Sequence, residues 1–308
     1  MNRQVKHSLF TQLRAYGELM RPANILTAFA DILAGFAAVG GVIAVSGWSL
    51  SADPAGLGWL LLSTFGLYGG GVVLNDVFDA DLDATERPER AIPSGRVSRK
   101  GALLTGVVLL LFGIVTAFQV NSLAGILALS ISTTALLYDY WAKHSAVWGP
   151  LFMGLCRGGN LLLGAAVYPL LLPGLWYLAL FPVLYIGAIT LVSQGEVHGG
   201  SRKTGFGALG LVVLIIAGLF LLSLLSSYAV WKGVLFVILF AAMVVPPFWR
   251  AAMNPKPSFI KEAVKRGVLA LIVLNAALAA GFGGITMGLL VLILLPLSIL
   301  LSNLFAVT

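Results

Sequence analysis

Apolar residues run along the chain in long unbroken blocks, parted by short polar loops. The blocks fall at approximately 25–46, 56–74, 101–120, 122–138, 148–169, 174–193, 205–226, 229–247, 266–282 and 286–305. Each approaches the roughly 20 residues that a helix needs to cross a hydrocarbon core of about 30 Å. The runs are continuous and do not alternate, so helices, not barrel strands, are the expected spanning elements. Only the uncharged break Gly283-Gly284 parts the last two blocks, which read as two spans or as one span and a re-entrant piece. Ahead of the first block, HSLFTQLRAYGELMRP places Leu9, Leu13, Tyr16 and Met20 at helical spacing, with Arg14 and Arg21 among them. That pattern predicts a short interfacial helix leading to Pro22. No linker or low-complexity tract divides the chain, so a single transmembrane domain over 1–308 is expected, with 1–22 interfacial and 286–308 an addition.

Composition agrees with this pattern. Of 308 residues, 59% are hydrophobic and only 10% charged, against about a quarter charged in soluble domains. The lone Cys156 excludes an intrachain disulfide framework and a thiolate metal cluster. The first apolar block is too long for the core of a cleavable signal peptide and has a long polar leader. The net charge of +7 would suit a nucleic-acid partner, but its distribution does not. Seventeen of the 19 Lys and Arg collect in 1–24 and in alternate loops, Arg157 and Lys232 being the exceptions. By the positive-inside rule those loops and the N-terminus face the cytoplasm. The bilayer, not nucleic acid, therefore explains the basic excess.

Polar groups at membrane depth are costly and mark functional candidates. The densest set is NDVFDADLDATERPER, 75–90, which holds six of the 12 acidic residues. If the second span continues into its cytoplasmic mouth, Asp76, Asp79 and Asp83 stand at i, i+3 and i+7. They then fall within about 60° on one helix face, with Asp81 on the other side. Carboxylates so placed repel each other unless a cation lies between them, and an oxygen-only set suits Mg²⁺ or Ca²⁺. The plain alternative is a solvated acidic loop balanced by Arg87, Arg90 and Arg96. Arg157 lies well inside a span, where an unpaired charge costs at least roughly 2.5–3.5 kcal/mol. It needs an internal anion, either a protein carboxylate or a substrate.

The stretch NDVFDADLDATERPERAIPSGRVS resembles the first aspartate-rich motif of the UbiA superfamily of intramembrane prenyltransferases. The matching residues are Asn75, Asp76, Asp79 and Asp83, then Arg87, Pro88, Arg90, Ile92, Pro93, Ser94 and Gly95. RPANILTAFADILAGF, 21–36, is similar to the family's first span, with Asn24 and Asp31 on one face. YDYWAKH, 138–144, matches a Y-x-x-x-x-K element through Tyr138 and Lys143. GLCRGGNLLLG, 154–164, is similar to the fifth span, with Arg157 and Asn160 one turn apart. The likeness covers roughly 20–282. It implies an all-α polytopic bundle of nine transmembrane helices around a central cavity, with the block at 286–305 a tenth.

The resemblance also implies a chemistry. Such proteins bind an isoprenyl diphosphate through Mg²⁺, ionise its allylic C–O bond and let a lipophilic acceptor, often aromatic, capture the carbocation. Asp76, Asp79 and Asp83 would hold the metal, and Lys143 and Arg157 would engage the diphosphate. Tyr138 and Asn160 would orient phosphate oxygens or shield the cation. Asn24, Asp31, Asn75, Arg87 and Arg202 complete the expected substrate site. Each also has an ordinary reading: Lys143 as a snorkelling anchor, Tyr138 as part of an aromatic belt, Arg157 as one half of a structural salt bridge.

The second acidic motif departs from the pattern. Where such proteins carry D-x-x-x-D, often followed by GDR, this chain has LVSQGEVHGGSRKTG, 191–205. Glu196 is its one acid, His198 is added, and Ser201 stands for the GDR aspartate before Arg202. One carboxylate and a histidine make a poor hard-cation site. Three outcomes stay open: a modified second site, an acid/base or acceptor role for Glu196 and His198, or a reduced homologue that keeps only a lipid-binding cavity. SQGEVHGG together with the first motif resembles the EboC-like branch. That branch implies the bacterial inner membrane, secondary metabolism, partner proteins of the same pathway, and a role in precursor export or processing. A secondary transporter is a third class, but its charges would pair across broken midplane helices.

Overall fold

The computed structural model describes residues 9–41, 54–196 and 199–304. The described residues form a helical bundle: α1 Leu9–Met20, α2 Pro22–Ala38, α3 Pro54–Phe78, α4 Ala80–Glu86, α5 Arg99–Phe118, α6 Ser122–Tyr140, α7 Trp148–Ala165, α8 Leu180–Ser193, α9 Arg202–Leu221, α10 Val230–Met253, α11 Pro257–Gly283, α12 Ile285–Leu292 and α13 Leu294–Leu304. Eight helical stretches are long and apolar enough to cross a membrane, Ile285–Leu304 among them as the paired α12 and α13. Among the described residues, the shorter α2 and the less apolar α7 are two further helices on the expected blocks, and the stretch Ile285–Leu304 breaks at Ile293. α7 misses the hydropathy of the others because it carries Arg157, Asn160 and several glycines.

The ends of the helices follow from local chemistry. Asn121 Oδ1 accepts from the Ala124 N–H at 2.9 Å and starts α6. Ser98 and Ser201 cap α5 and α9 in the same way. Pro22 and Pro257 occupy first turns, where a missing N–H costs nothing. Gly284, at φ +92, breaks the chain between α11 and α12. Asn121 also donates to the Ala166 carbonyl at 2.7 Å, pinning the start of α6 to the end of α7. Asn121→Ala is expected to cost about 1 kcal/mol or somewhat more, read as a lowered midpoint in detergent unfolding.

Lipid tails are as apolar as leucine, so helices associate in a bilayer through close packing rather than hydrophobic exclusion. The sequence supplies small residues for this. On α3, a Cβ at Gly66 would lie 2.5 Å from the Leu109 carbonyl oxygen. On α5, one at Gly113 would lie 2.7 Å from the Ser63 oxygen. α11 is the central helix: every residue from Ala270 to Gly281 is buried, as expected of a helix apolar on all sides. α5, α9, α12 and α13 turn their leucines outward to lipid.

α1 differs from expectation in its buried face. Ala15 and Leu19 are buried against Val73, Val77, Val97 and Ala102, with Tyr16 and Met20 beside them. Leu13 faces outward at 62% exposure. The helix docks on the end of α3 through its small residues.

Candidate active site

A cavity of about 500 Å³ opens among α2, α3, α6, α7, α8 and α11. Of the residues expected at the site, Asn24, Asn75, Asp79, Arg87, Tyr138, Arg157, Asn160 and Glu196 line it. Asp76, Asp83 and Lys143 are not on the lining but are each tied to it by ion pairs, to Arg21 and Arg90, to Arg90, and to Asp79 respectively. Between mouth and floor the wall is apolar, with Leu67, Ile131, Ile186, Ile189, Val268 and Leu271. His198 lies outside the described residues. Arg202 is exposed on the first turn of α9, away from the cavity, because the Ser201 cap turns the chain outward there. It is not among the residues that line the cavity.

The mouth is a lattice of opposite charges. Asp76 accepts from Arg21 at 2.8 Å, and Arg90 Nη1 approaches it at 3.4 Å. The same Arg90 nitrogen reaches Asp83 at 2.8 Å. Lys143 pairs with Asp79 at 2.5 Å. Asp81, as expected, faces away and meets the exposed Arg99 at 3.0 Å. α3 ends at Phe78, and Asp79 stands at the step into α4, so the three carboxylates do not share one smooth helical face. Among the described residues no three acidic or imidazole groups converge on one metal position. The expectation of a three-carboxylate convergence is corrected to this extent: protein cations draw Asp79 one way and Asp76 with Asp83 the other. The Asp76–Asp83 pair nevertheless converges on a single positive nitrogen, Arg90 Nη1. An oxygen-only pair around one positive centre fits a hard cation such as Mg²⁺.

Two features of the mouth had weak sequence signals. Asp139, buried on α6, lines the cavity and accepts from Asn75 Nδ2 at 2.7 Å. It is a further carboxylate beside the cluster, and its neighbour Tyr138 drew attention instead. Arg21 sits in the left-handed region, φ 48 and ψ 64, a conformation that costs about 1–2 kcal/mol for a side-chain-bearing residue. Its ion pair with Asp76 helps hold it there. Across the cavity, burial raises the Glu196 carboxyl above its ordinary range, while the nearby Lys261 and Arg87 charges pull it down. Ser201, in the place of a second-motif aspartate, serves as a helix cap.

At the floor, Arg157 finds the internal anion that its depth demands. Asp31, fully buried on α2, lies 3.1 Å from Arg157 Nε. That contact is an ion pair too misaligned to count as a hydrogen bond. Arg157 Nη2 donates to Asp31 at 3.2 Å and to the Thr27 carbonyl at 2.8 Å. Asn160 and Asn275 each donate to Asp31, at 3.2 and 2.7 Å. The Thr64 hydroxyl in turn donates to Asn160. Three helices, α2, α7 and α11, thus meet at one carboxylate, and α3 joins them through Thr64 on Asn160. The Tyr68 ring lies 5.8 Å from the guanidinium. Tyr68 stands eight residues before Asp76 on α3, which places the floor about 12 Å deeper than the acidic mouth at 1.5 Å per residue. Arg157 is thus paired with Asp31 and not with a carboxylate of the mouth.

The comparisons agree with this geometry. The family model for the UbiA prenyltransferase family matches residues 33–264. The chain belongs to the UbiA prenyltransferase family. Among curated relatives, the digeranylgeranylglyceryl phosphate synthase of Methanosarcina mazei is 35% identical over 195 residues, covering 60% of this chain and 64% of that protein. That of Methanococcoides burtonii is 34% identical over 204 residues, covering 65% and 72%. The match thus spans just under two thirds of the first of these relatives. A solved structure of a digeranylgeranylglyceryl phosphate synthase superposes with a TM-score of 0.66 at 21% identity, covering 89% of this chain and 99% of that one. A UbiA homologue from Archaeoglobus fulgidus, solved with GPP and Mg²⁺, gives 0.58 at 12% identity, covering 86% and 99%. These likenesses establish the family's membrane-embedded helical fold for this chain.

Proposed function

We propose that the chain transfers a prenyl group from an isoprenyl diphosphate, bound with Mg²⁺ at the cavity mouth, to a lipophilic acceptor inside the cavity. The observation that carries this reading is the cavity itself: a charged mouth of paired acids and bases opening onto an apolar interior. Asp76 and Asp83 hold the metal, and Asp79 with Lys143 borders it. Held there, Mg²⁺ would supply positive charge against the negative charge of the departing diphosphate. Arg90, displaced from the two carboxylates, turns with Arg21, Arg87 and Lys143 to the phosphate oxygens as donors. Asn75, fixed by Asp139, sets the near edge of the site. The Tyr138 ring lies beside the path of the allylic carbon and shields it from water. In balance, the allylic C–O bond breaks with its electron pair leaving on pyrophosphate. The acceptor donates a pair to the freed carbon and loses one proton, which Glu196 or Asp139 on the wall is placed to take.

The relatives named digeranylgeranylglyceryl phosphate synthase and the homologue solved with GPP and Mg²⁺ support the substrate class. The basic loops support a cytoplasmic mouth at an inner membrane. SQGEVHGG supports membership of the EboC-like branch, and with it the expectation of partner proteins of its pathway. One observation favours a second reading, a reduced homologue that binds without turnover: Glu196 is the sole carboxylate of the second motif, and Ser201 is a cap.

Binding of geranyl diphosphate to the purified protein in nanodiscs, with and without Mg²⁺, tests the proposal. Saturable Mg²⁺-dependent binding that weakens at least tenfold in Asp76→Ala is expected, together with pyrophosphate release across a panel of aromatic and glycerol-phosphate acceptors. Binding indifferent to Mg²⁺ and to Asp76 sinks the transferase reading. Mg²⁺-dependent binding without pyrophosphate release selects the reduced homologue.

A further inference from the structure

The floor of the cavity is a second polar pole, and the mouth chemistry does not use it. Arg157 lines the cavity while its side chain is only 7% exposed. Its Nη2 and Nε are turned to α2, towards Asp31 and Thr27, and no described residue takes a hydrogen bond from Nη1. Asn160, also on the lining, has its amide nitrogen committed to Ala28 and Asp31 and accepts from Thr64, so it positions the pole and offers no further donor. The Tyr68 ring, also on the lining, lies 5.8 Å from the guanidinium, and Asn24 lines the same cavity. A purely structural ion pair would have both partners turned into protein. Here Asp31 is sealed and Arg157 is left on the cavity wall.

The charge of the pole limits what it can take. Asp31 neutralises Arg157, so the pole presents hydrogen-bond donors with little net charge. A phosphate or carboxylate would bring an uncompensated negative charge into a low-dielectric floor. A neutral oxygen would accept from the free edge of the guanidinium without that penalty. The apolar wall between floor and mouth suits a hydrocarbon body carrying that oxygen. We propose that the Arg157 edge, framed by Tyr68 and Asn24, is a binding site for a neutral hydroxyl or carbonyl oxygen on a lipophilic ligand. Calling that ligand the prenyl acceptor rests on the transferase reading above, while the site itself does not. It would distinguish this chain from an enzyme whose acceptor is a phosphate ester.

The test uses 4-heptylphenol, heptylbenzene and 4-heptylbenzoate, each radiolabelled, with the full chain in nanodiscs and empty nanodiscs as background. Asp31→Asn/Arg157→Met removes both charges together, so no charge is stranded. The expected result is saturable 4-heptylphenol binding to the natural chain, at least tenfold weaker in the double variant, with heptylbenzene equal in both. 4-Heptylbenzoate should bind the natural chain more weakly than the phenol and gain at least tenfold in Asp31→Asn, where the guanidinium is left charged. Phenol binding unchanged in the double variant overturns the site. Benzoate binding tighter than phenol in the natural chain overturns its neutral character. Should the double variant elute as aggregate, Arg157→Lys keeps the pair with Asp31 and loses the planar fork. A tenfold loss of phenol binding there supports the site, and no loss overturns it. Mg²⁺-dependent geranyl diphosphate binding, measured in parallel, reports on the mouth alone. Its persistence beside failed phenol binding refutes this inference and leaves the transferase reading standing.

Discussion

Replacing Asp31 by alanine, with Arg157 left in place, is expected to lower stability by about 3–5 kcal/mol. The reason is the charge that remains. Arg157 would keep its guanidinium in the bundle with only the Thr27 carbonyl as acceptor. Asn275 would lose the oxygen to which it donates, and Asn160 would keep only the Ala28 carbonyl. Asp31→Asn/Arg157→Met should recover most of the loss, because it removes both charges and keeps an amide oxygen for Asn275. SDS titration of the natural chain and the two variants in mixed micelles measures the difference. Equal midpoints for the single and the double variant would mean that the pair does not neutralise itself. This also separates two roles that meet at Arg157: stability depends on the pairing with Asp31, and ligand binding on the free edge.

The pair shows what the sequence can and cannot convey. A charge in the middle of an apolar block announces itself, because nothing but an internal partner makes it tolerable. Asp31 is visible on the same ground. That they are partners is not visible, since 126 positions separate them and only the packing of α2 on α7 joins them. Thr64 and Asn275 carried the same signal, polar atoms inside apolar blocks, but single uncharged residues among many apolar ones draw less attention. Tyr68 did not stand out, since a tyrosine is ordinary in a span.

At the mouth Asp76, Asp79 and Asp83 were legible as a local run, because one short segment holds them, whereas Asp139 comes from α6. The cations of that run were not legible. Arg21 comes from before α2, Lys143 from after α6, and the two divide Asp76 from Asp79. Helical spacing alone placed Asp76, Asp79 and Asp83 together. The step at Asp79 and the competition among basic side chains decide where each carboxylate points. The spans were readable as blocks because a bilayer demands apolar length. The closeness of the helices was not, since it depends on which glycines face one another.

The closest of those approaches leads to the second large expected effect. A Cβ at Gly35 on α2 would lie 1.9 Å from the Leu161 carbonyl oxygen and 2.8 Å from the Ala165 nitrogen. One at Gly164 on α7 would lie 2.2 Å from the Ile32 carbonyl oxygen. The obstacles are backbone atoms on both sides, so no rotamer change relieves them and the helices must separate. Gly35→Ala is expected to cost about 3 kcal/mol, the upper end for overpacking by a single methyl. Gly207→Ala on α9 is the control, since its Cβ would meet nothing within 4 Å. There alanine's better helix propensity makes the change neutral or stabilising by up to about 1 kcal/mol. The effect of Gly35→Ala should not stop at stability. Gly35 lies one turn beyond Asp31, and Gly164 lies one turn beyond Asn160, so moving α2 from α7 pulls the carboxylate away from both Arg157 and Asn160. In the same variant, 4-heptylphenol binding should weaken more than Mg²⁺-dependent geranyl diphosphate binding, because the floor depends on that crossing and the Asp76–Arg90–Asp83 contacts do not. Equal losses at both ends would show instead that α2 carries its displacement up to Arg21 and the mouth.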